Sequence, residues 1–168
     1  IQQIEKYEIP EIDLVIVDLY PFEATVASGA DEAAIIEKID IGGISLIRAA
    51  AKNYNDVVIV ASQAQYKPLL DMLMEHGANS SLEERRWMAK EAFAVSSHYD
   101  SAIFNYFDAE EGSAFRQSAN DQKMLRYGEN PHQKGFFYGN LEAMFDQIHG
   151  KEISYNNLLD INAAVELI

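Results

Sequence analysis

Asp40-Ile-Gly-Gly-Ile-Ser-Leu-Ile-Arg-Ala-Ala-Ala-Lys52-Asn53 is an acid and two glycines running straight into a helical stretch that ends on a lysine. Gly42 and Gly43 put no side chain over the backbone N–H groups of the turn. An oxyanion or phosphate can therefore approach the helix N-terminus, where the dipole favours negative charge. Asp40 stands at the N-cap position and Asn53 at the C-cap position. Ile44, Leu46, Ile47 and the alanine run supply an apolar face, so an ordinary capped core helix is a second reading of the same residues. Short glycine motifs are weak evidence of chemistry on their own.

Upstream, Ile12 to Val17 is a short continuous apolar run, as a strand buried on both faces of a parallel sheet requires. Asp18-Leu-Tyr20-Pro21-Phe22 follows as a loop, and a tyrosine just past the C-terminal end of a buried strand stands where open α/β sheets bind ligands. An aromatic plug over the core edge is the other reading of Tyr20. Residues 31–38 have helical character. Downstream, Val57 to Ala61 repeats the buried-strand pattern, and Ser62 N-caps a helix expected to run to about His76 and end at Gly77. Strand, helix, helix, strand, helix is the order of an α/β unit with a mostly parallel sheet.

With 168 residues and 48% hydrophobic content, the chain can bury the core of one domain or of parts of two. A formal net charge of −14 opposes broad electrostatic binding to nucleic acid or to an anionic membrane face, so any phosphate pocket has to be local. The absence of cysteine excludes disulfides, thiolate zinc sites and a cysteine nucleophile. No apolar run approaches membrane-span length and nothing at the start reads as a signal peptide, which fits a cytoplasmic protein. The chain begins on Ile1 rather than methionine and stops within a helical pattern at Ile168, as expected of a slice of a longer polypeptide.

Ser81-Leu-Glu-Glu84 has capping-box spacing and opens a long helical pattern carrying Trp87, Phe93, Tyr99, Phe104 and Tyr106, aromatics suited to a core or a partner surface. From Asp108 to about Lys123 the texture changes to acid, serine, glycine and glutamine with little periodicity, which marks a domain boundary. Leu125-Arg-Tyr-Gly-Glu-Asn-Pro-His-Gln133 then reads as a polar loop, Gly135-Phe-Phe-Tyr138 as a strand, and Glu152 to Asp160 as the lead into an alanine-rich helix. His76, His98 and His149 lack ligand spacing, and no metal site is expected.

Five stretches, in order, carry a resemblance: Asp18-Leu-Tyr-Pro-Phe22, Ile39-Asp-Ile-Gly-Gly43, Leu46-Ile-Arg-Ala-Ala-Ala-Lys-Asn53, Arg126-Tyr-Gly-Glu-Asn-Pro-His-Gln133 and Ser154-Tyr-Asn-Asn-Leu158. Together they are similar to the bifunctional family of purine biosynthesis that joins AICAR transformylase to IMP cyclohydrolase. The resemblance implies that residues 1–117 are the C-terminal part of the cyclohydrolase domain, an α/β, parallel-sheet fold like methylglyoxal synthase. Residues 118–168 would be a linker and the N-terminal start of an α/β transformylase domain. The implied chemistry is ring closure of formyl-AICAR to IMP with loss of water. In the full chain it adds formyl transfer to AICAR from the co-substrate 10-formyltetrahydrofolate. The implied partners are these small-molecule nucleotides and a second copy in a homodimer, with no nucleic acid and no membrane.

By the same resemblance the catalytic residues are Lys52, Tyr20 and Asp40. Lys52 would stabilise the formyl oxygen, Tyr20 would assist proton transfer, and Asp40 with the N–H groups of Ile41, Gly42 and Gly43 would hold the carboxamide. An amide nitrogen is a poor nucleophile and its tetrahedral adduct carries a growing oxyanion. The reaction therefore needs a proton acceptor beside the amide and a cation or N–H pair at the oxygen. Arg126, Tyr127, His132 and Asn157 would bind AICAR, the arginine fork suiting a phosphate. The rival reading pairs Arg126 with a nearby acid and leaves His132 as a loop residue. Where Asp18 stands the family more often has asparagine, whose amide donates bonds a carboxylate cannot, so its contact is made differently or Asp18 shapes the turn. The family's phosphate-gripping cyclohydrolase residues would fall before Ile1 and its lysine-histidine pair for formyl transfer after Ile168, so neither site is expected to be complete. Two other readings share the α/β pattern: a non-catalytic, phosphate-ligand-binding regulatory module of the methylglyoxal-synthase-like fold, and a packing piece without chemistry.

Overall fold

The Ile12–Val17 run forms strand β1, Leu14–Ile16, and the Val57–Ala61 run forms β2, Val58–Val60. They pair in parallel, Leu14 opposite Val58 and Ile16 opposite Val60, and the Val17 N–H continues the ladder to the Val60 carbonyl at 2.9 Å. The computed structural model describes residues 2–119 and 121–167. It divides into two units, Ile1–Gln117, to which both strands belong, and Ser118–Ile168. A short α1 (Gln2–Tyr7) precedes β1. Helices α2 (Phe22–Ala27), α3 (Glu32–Ile36) and α4 (Ile41–Lys52) run between the strands, and α5 (Tyr66–His76) and α6 (Leu82–Phe107) follow β2. The result is an α/β unit with a small parallel sheet.

Burial distinguishes the two strands. β2 is buried throughout, packed with Ile47, Ala50 and Ala51 of α4, Leu69 and Met72 of α5, and Met88, Ala89 and Ala92 of α6. The alanines let α4 approach closely, and each large side chain buried here contributes roughly 1.5–3 kcal/mol. β1 corrects the expectation of a strand buried on both faces, since Leu14 is 38% and Ile16 48% exposed. Among the described residues it has a single strand neighbour, which leaves one edge and the outward side chains open. Leu46 likewise faces away from the core that Ile47 enters.

A smaller cluster sits beside the first, built on Phe22, Ile35 and Tyr99, with Leu19, Ile39, Ile44 and Tyr106 packed against it. Phe22 meets Tyr99 and Tyr106 edge-on, at centroid distances of 6.2 and 5.8 Å, the arrangement that ring quadrupoles favour. Of the α6 aromatics, Tyr99 is core while Trp87 and Phe93 remain on the surface. Helix ends follow their local residues. The Ser81 N–H donates to the Glu84 carboxylate at 2.6 Å and the Glu84 N–H to the Ser81 hydroxyl at 3.2 Å. A 3-10 turn, Gln63–Gln65, begins at Ser62 ahead of α5, which stops at Gly77 with φ +66°. α2 begins at Phe22, the last residue of the expected Asp18–Phe22 loop. Pro21 occupies its N-cap position, and the helix begins directly behind the Tyr20 turn.

The second unit pairs β3 (Gln122–Met124) with β4 (Phe136–Tyr138) in antiparallel register and ends in α7 (Tyr155–Glu166). β4 is the expected strand, whereas β3 lies in the stretch expected to be irregular. Continuation of the last helix through Ile168 falls outside the described residues.

Candidate functional site

The turn before α4 is organised by one carboxylate. Asp40 is the N-cap residue, with φ −80° and ψ 105°, and its Oδ1 accepts the Gly43 N–H at 2.6 Å. Of the four N–H groups that a helix start leaves without intrahelical acceptors, Gly43's is thus engaged by Asp40. The Asp40 N–H donates to the Tyr99 hydroxyl at 2.8 Å. The Ile41 and Gly42 N–H groups remain, and both residues are exposed. This corrects the expectation of an uncovered Gly43 N–H. Asp40 itself is half-buried, and its Oδ2 makes no hydrogen bond among the described residues.

Tyr20 follows β1 at the C-terminal edge of the parallel pair, exposed, with the Lys38 ammonium 5.5 Å from its ring centroid. That cation–π contact joins the loop after β1 to the segment that ends at Asp40. Lys38 carries no motif and was missed in the sequence. Asp18, on the same loop, accepts the Tyr66 hydroxyl at 2.6 Å, tying the loop to the start of α5. This bond, burial and the carboxylate's charge together raise the Tyr66 phenol above its ordinary range.

Lys52 stands elsewhere. It is the last residue of α4, capped by Asn53, whose N–H bonds the Ala49 and Ala50 carbonyls. Twelve residues at 1.5 Å rise separate it from Asp40 by about 18 Å along the axis. The turn that follows leads into the N-terminal end of β2, with the Val57 N–H bonded to the Asn53 carbonyl at 3.1 Å. The structure gathers Tyr20, Asp40, Ile41 and Gly42 at one edge of the strands and leaves Lys52 at the other. A lysine side chain does not bridge that span. Two clefts of this unit, of about 520 and 400 Å³, are lined by residues other than the Asp40 turn.

In the second unit a cleft of about 730 Å³ is lined by Arg126, Asp146, His149, Lys151, Asn157 and Asp160, among others. Arg126 is fixed by its backbone, its N–H donating to the Ile153 carbonyl at 2.9 Å, and its guanidinium donates to the Tyr127 hydroxyl at 3.0 Å. The Ser154 hydroxyl, and after it the Arg126 guanidinium, hold the Tyr127 phenol below the ordinary tyrosine range. Asn157 lines the cleft, but its Oδ1 accepts the Ser154 N–H and hydroxyl as part of the α7 cap, which leaves its Nδ2 for a ligand. His132 is exposed in a turn closed by the Gly128 N–H on the Gln133 carbonyl at 2.8 Å, and it does not line the cleft. Gly128 and Gly135 lie back to back beside that turn: a Cβ on Gly135 would come within 3.0 Å of the Tyr127 carbonyl oxygen. Sequence reasoning missed Lys151, which belongs to no motif, and set His149 aside for want of ligand spacing; both line the same cleft as Arg126. Among the described residues no group of three His, Asp or Glu side chains is placed to hold a metal ion, and no helix is long and apolar enough to cross a membrane.

The model of the AICARFT/IMPCHase bienzyme family matches residues 50–168. The chain is 93% identical over its whole length to the bifunctional purine biosynthesis protein PurH of Bacteroides thetaiotaomicron, of which it covers 33%. It is 46% identical over 96% of its length to PurH of Rhodospirillum rubrum, covering 32% of that protein. The chain thus spans about a third of the length of the curated relatives it matches. Among solved structures, the crystal structure of ForH superposes on 66% of this chain and 57% of its own, with a TM-score of 0.55 and 31% identity.

Proposed function

Because the chain belongs to the AICARFT/IMPCHase bienzyme family, we propose that it serves de novo purine biosynthesis as part of an enzyme that closes formyl-AICAR to IMP. In the full chain that enzyme also transfers the formyl group from 10-formyltetrahydrofolate to AICAR. Residues 1–117 are assigned to the C-terminal part of the methylglyoxal-synthase-like cyclohydrolase domain and residues 118–168 to the linker and N-terminal start of the transformylase domain. The enzyme is read as a cytoplasmic homodimer.

Ring closure joins the carboxamide nitrogen to the formyl carbon. The departing water carries the formyl oxygen with one proton from the carboxamide nitrogen and one from the formamide nitrogen. The observation that supports the Asp40 turn as the place for this is its division of labour. One carboxylate oxygen is held by Gly43, the other is unengaged, and two N–H groups stand open beside it. Asp40 Oδ2 accepts the amide proton, the Ile41 and Gly42 N–H groups hold the carboxamide oxygen, and the Tyr20 hydroxyl donates toward the leaving oxygen. Lys52 cannot contact the same atoms from about 18 Å away along α4. The two ends of the helix are alternatives, and the proposal takes the Asp40 end. In the transformylase half, Arg126 and Tyr127 bind the AICAR phosphate and base with the Asn157 Nδ2, and His132 contributes from the adjoining turn. Both PurH relatives are named as biosynthetic proteins, so the regulatory-module alternative gains no support.

The test is the rate of IMP formation from formyl-AICAR by the complete protein carrying Asp40→Asn. Asparagine caps a helix as well as aspartate does, so folding is kept while the proton acceptor is lost. Turnover is expected to fall about a hundredfold or more, the usual scale for a general base. A wild-type rate would remove Asp40 from the chemistry.

A further inference from the structure

Tyr99 is a core residue, 7% exposed, whose ring could pack as phenylalanine against Phe22 and Ile35. Its hydroxyl needs another explanation, because a buried phenol has to find partners. It finds two, both backbone atoms and both at the turn that presents Asp40. The hydroxyl donates to the Lys38 carbonyl at 2.7 Å and accepts the Asp40 N–H at 2.8 Å. Residues 37–40 form a corner in which α3 has just ended and α4 has not begun. The Glu37, Lys38 and Ile39 N–H groups close back onto α3 through the Ala33, Ile35 and Ile36 carbonyls. The Lys38 carbonyl points past the end of one helix and the Asp40 N–H precedes the start of the next. One hydroxyl from α6 satisfies both.

We infer that Tyr99 is a positioning residue for ring closure. Its hydroxyl pins the backbone on both sides of Ile39, so that the Asp40 carboxylate keeps one oxygen on Gly43 and presents the other beside the open Ile41 and Gly42 N–H groups. The cluster in which Tyr99 is buried also packs against Leu19, the neighbour of Tyr20, so the core that seats Tyr99 borders the loop after β1 as well. Without the hydroxyl, the Asp40 N–H lacks its acceptor and competes for the Asp40 carboxylate, and the turn loses its single arrangement. This inference rests on the Asp40 reading above and acts only through it.

The experiment is a double-mutant cycle on IMP formation by the complete protein: wild type, Tyr99→Phe, Asp40→Asn and the pair, with kcat and KM measured separately. Tyr99→Phe is expected to lower kcat about tenfold with KM within about threefold, and to have no further effect in the Asp40→Asn background. A kcat equal to wild type, or a tenfold loss that persists without Asp40, overturns the inference while leaving Asp40 in place. If Asp40→Asn itself turns over normally, the site reading falls and Tyr99 falls with it. Amide hydrogen exchange of wild-type protein needs no variant. The Asp40 N–H is expected to exchange far more slowly than those of Ile41 and Gly42, and equal rates would show that the tyrosine does not hold it.

Discussion

Gly43 and Gly42 are neighbours with opposite reasons to lack a side chain. A Cβ on Gly43 would lie 2.5 Å from Asp40 Oδ2 and 2.9 Å from its Cγ, displacing the carboxylate that caps the helix. A Cβ on Gly42 meets nothing within 4 Å. Glycine costs a helix roughly 0.5–1 kcal/mol relative to alanine, and loss of an N-cap costs about 1 kcal/mol. Gly42→Ala should therefore raise the thermal midpoint, whereas in Gly43→Ala the lost cap offsets the gain. Equal rises in calorimetry would show that the Asp40 cap is not under steric control. That Gly42 keeps its glycine at a stability cost fits a backbone left open for a ligand. The Asp40 cap and its glycines were legible in the sequence because a cap is local, complete within three residues. The Tyr99 contacts were not, because the hydroxyl's partners lie 59 and 61 residues away and an aromatic in a helical pattern reads as core.

Among the elements, α6 carries most of the first unit's architecture, packing on α4 and β2 along its 26 residues. Its start depends on the Ser81–Glu84 box. Ser81→Ala is expected to cost about 1 kcal/mol in chemical denaturation. The Ser81 N–H, then the Ser81 hydroxyl, hold the Glu84 carboxyl below the ordinary glutamate range. A carboxyl lowered by folding stabilises the protein above its unfolded pKa of about 4.3 and loses that contribution as the pH falls toward the folded value. Glu84→Gln should flatten this acid limb, and an unchanged limb would place the pH dependence elsewhere. β2 was readable because a continuous apolar run packed under helices has one solution. β1 has the same composition, and no run of apolar residues distinguishes an edge from a centre. β3, Gln-Lys-Met, holds no strand signal of its own and exists through pairing with Phe136–Tyr138. Its Lys123 also forms an ion pair with Glu142.

At the scale of the whole molecule, the two units meet in sequence at 117 and 118, between α6 and β3, where residues 108–119 form no helix or strand. Phe115 is 89% exposed there. Brief chymotrypsin digestion should cut first after Phe115 and release two fragments, and a first cut inside α6 or β2 would contradict the division. The proposed site of the first unit lies at the C-terminal edge of the strands, where open α/β sheets bind ligands and where Lys38, two residues before Asp40, reaches the Tyr20 ring. The most direct test of that placement is IMP formation by the complete protein with Asp40→Asn assayed beside Lys52→Ala. The account predicts a loss of about a hundredfold or more at Asp40 and a much smaller one at Lys52. A hundredfold loss at Lys52 with Asp40→Asn at the wild-type rate would contradict it and move the chemistry to the other end of the helix.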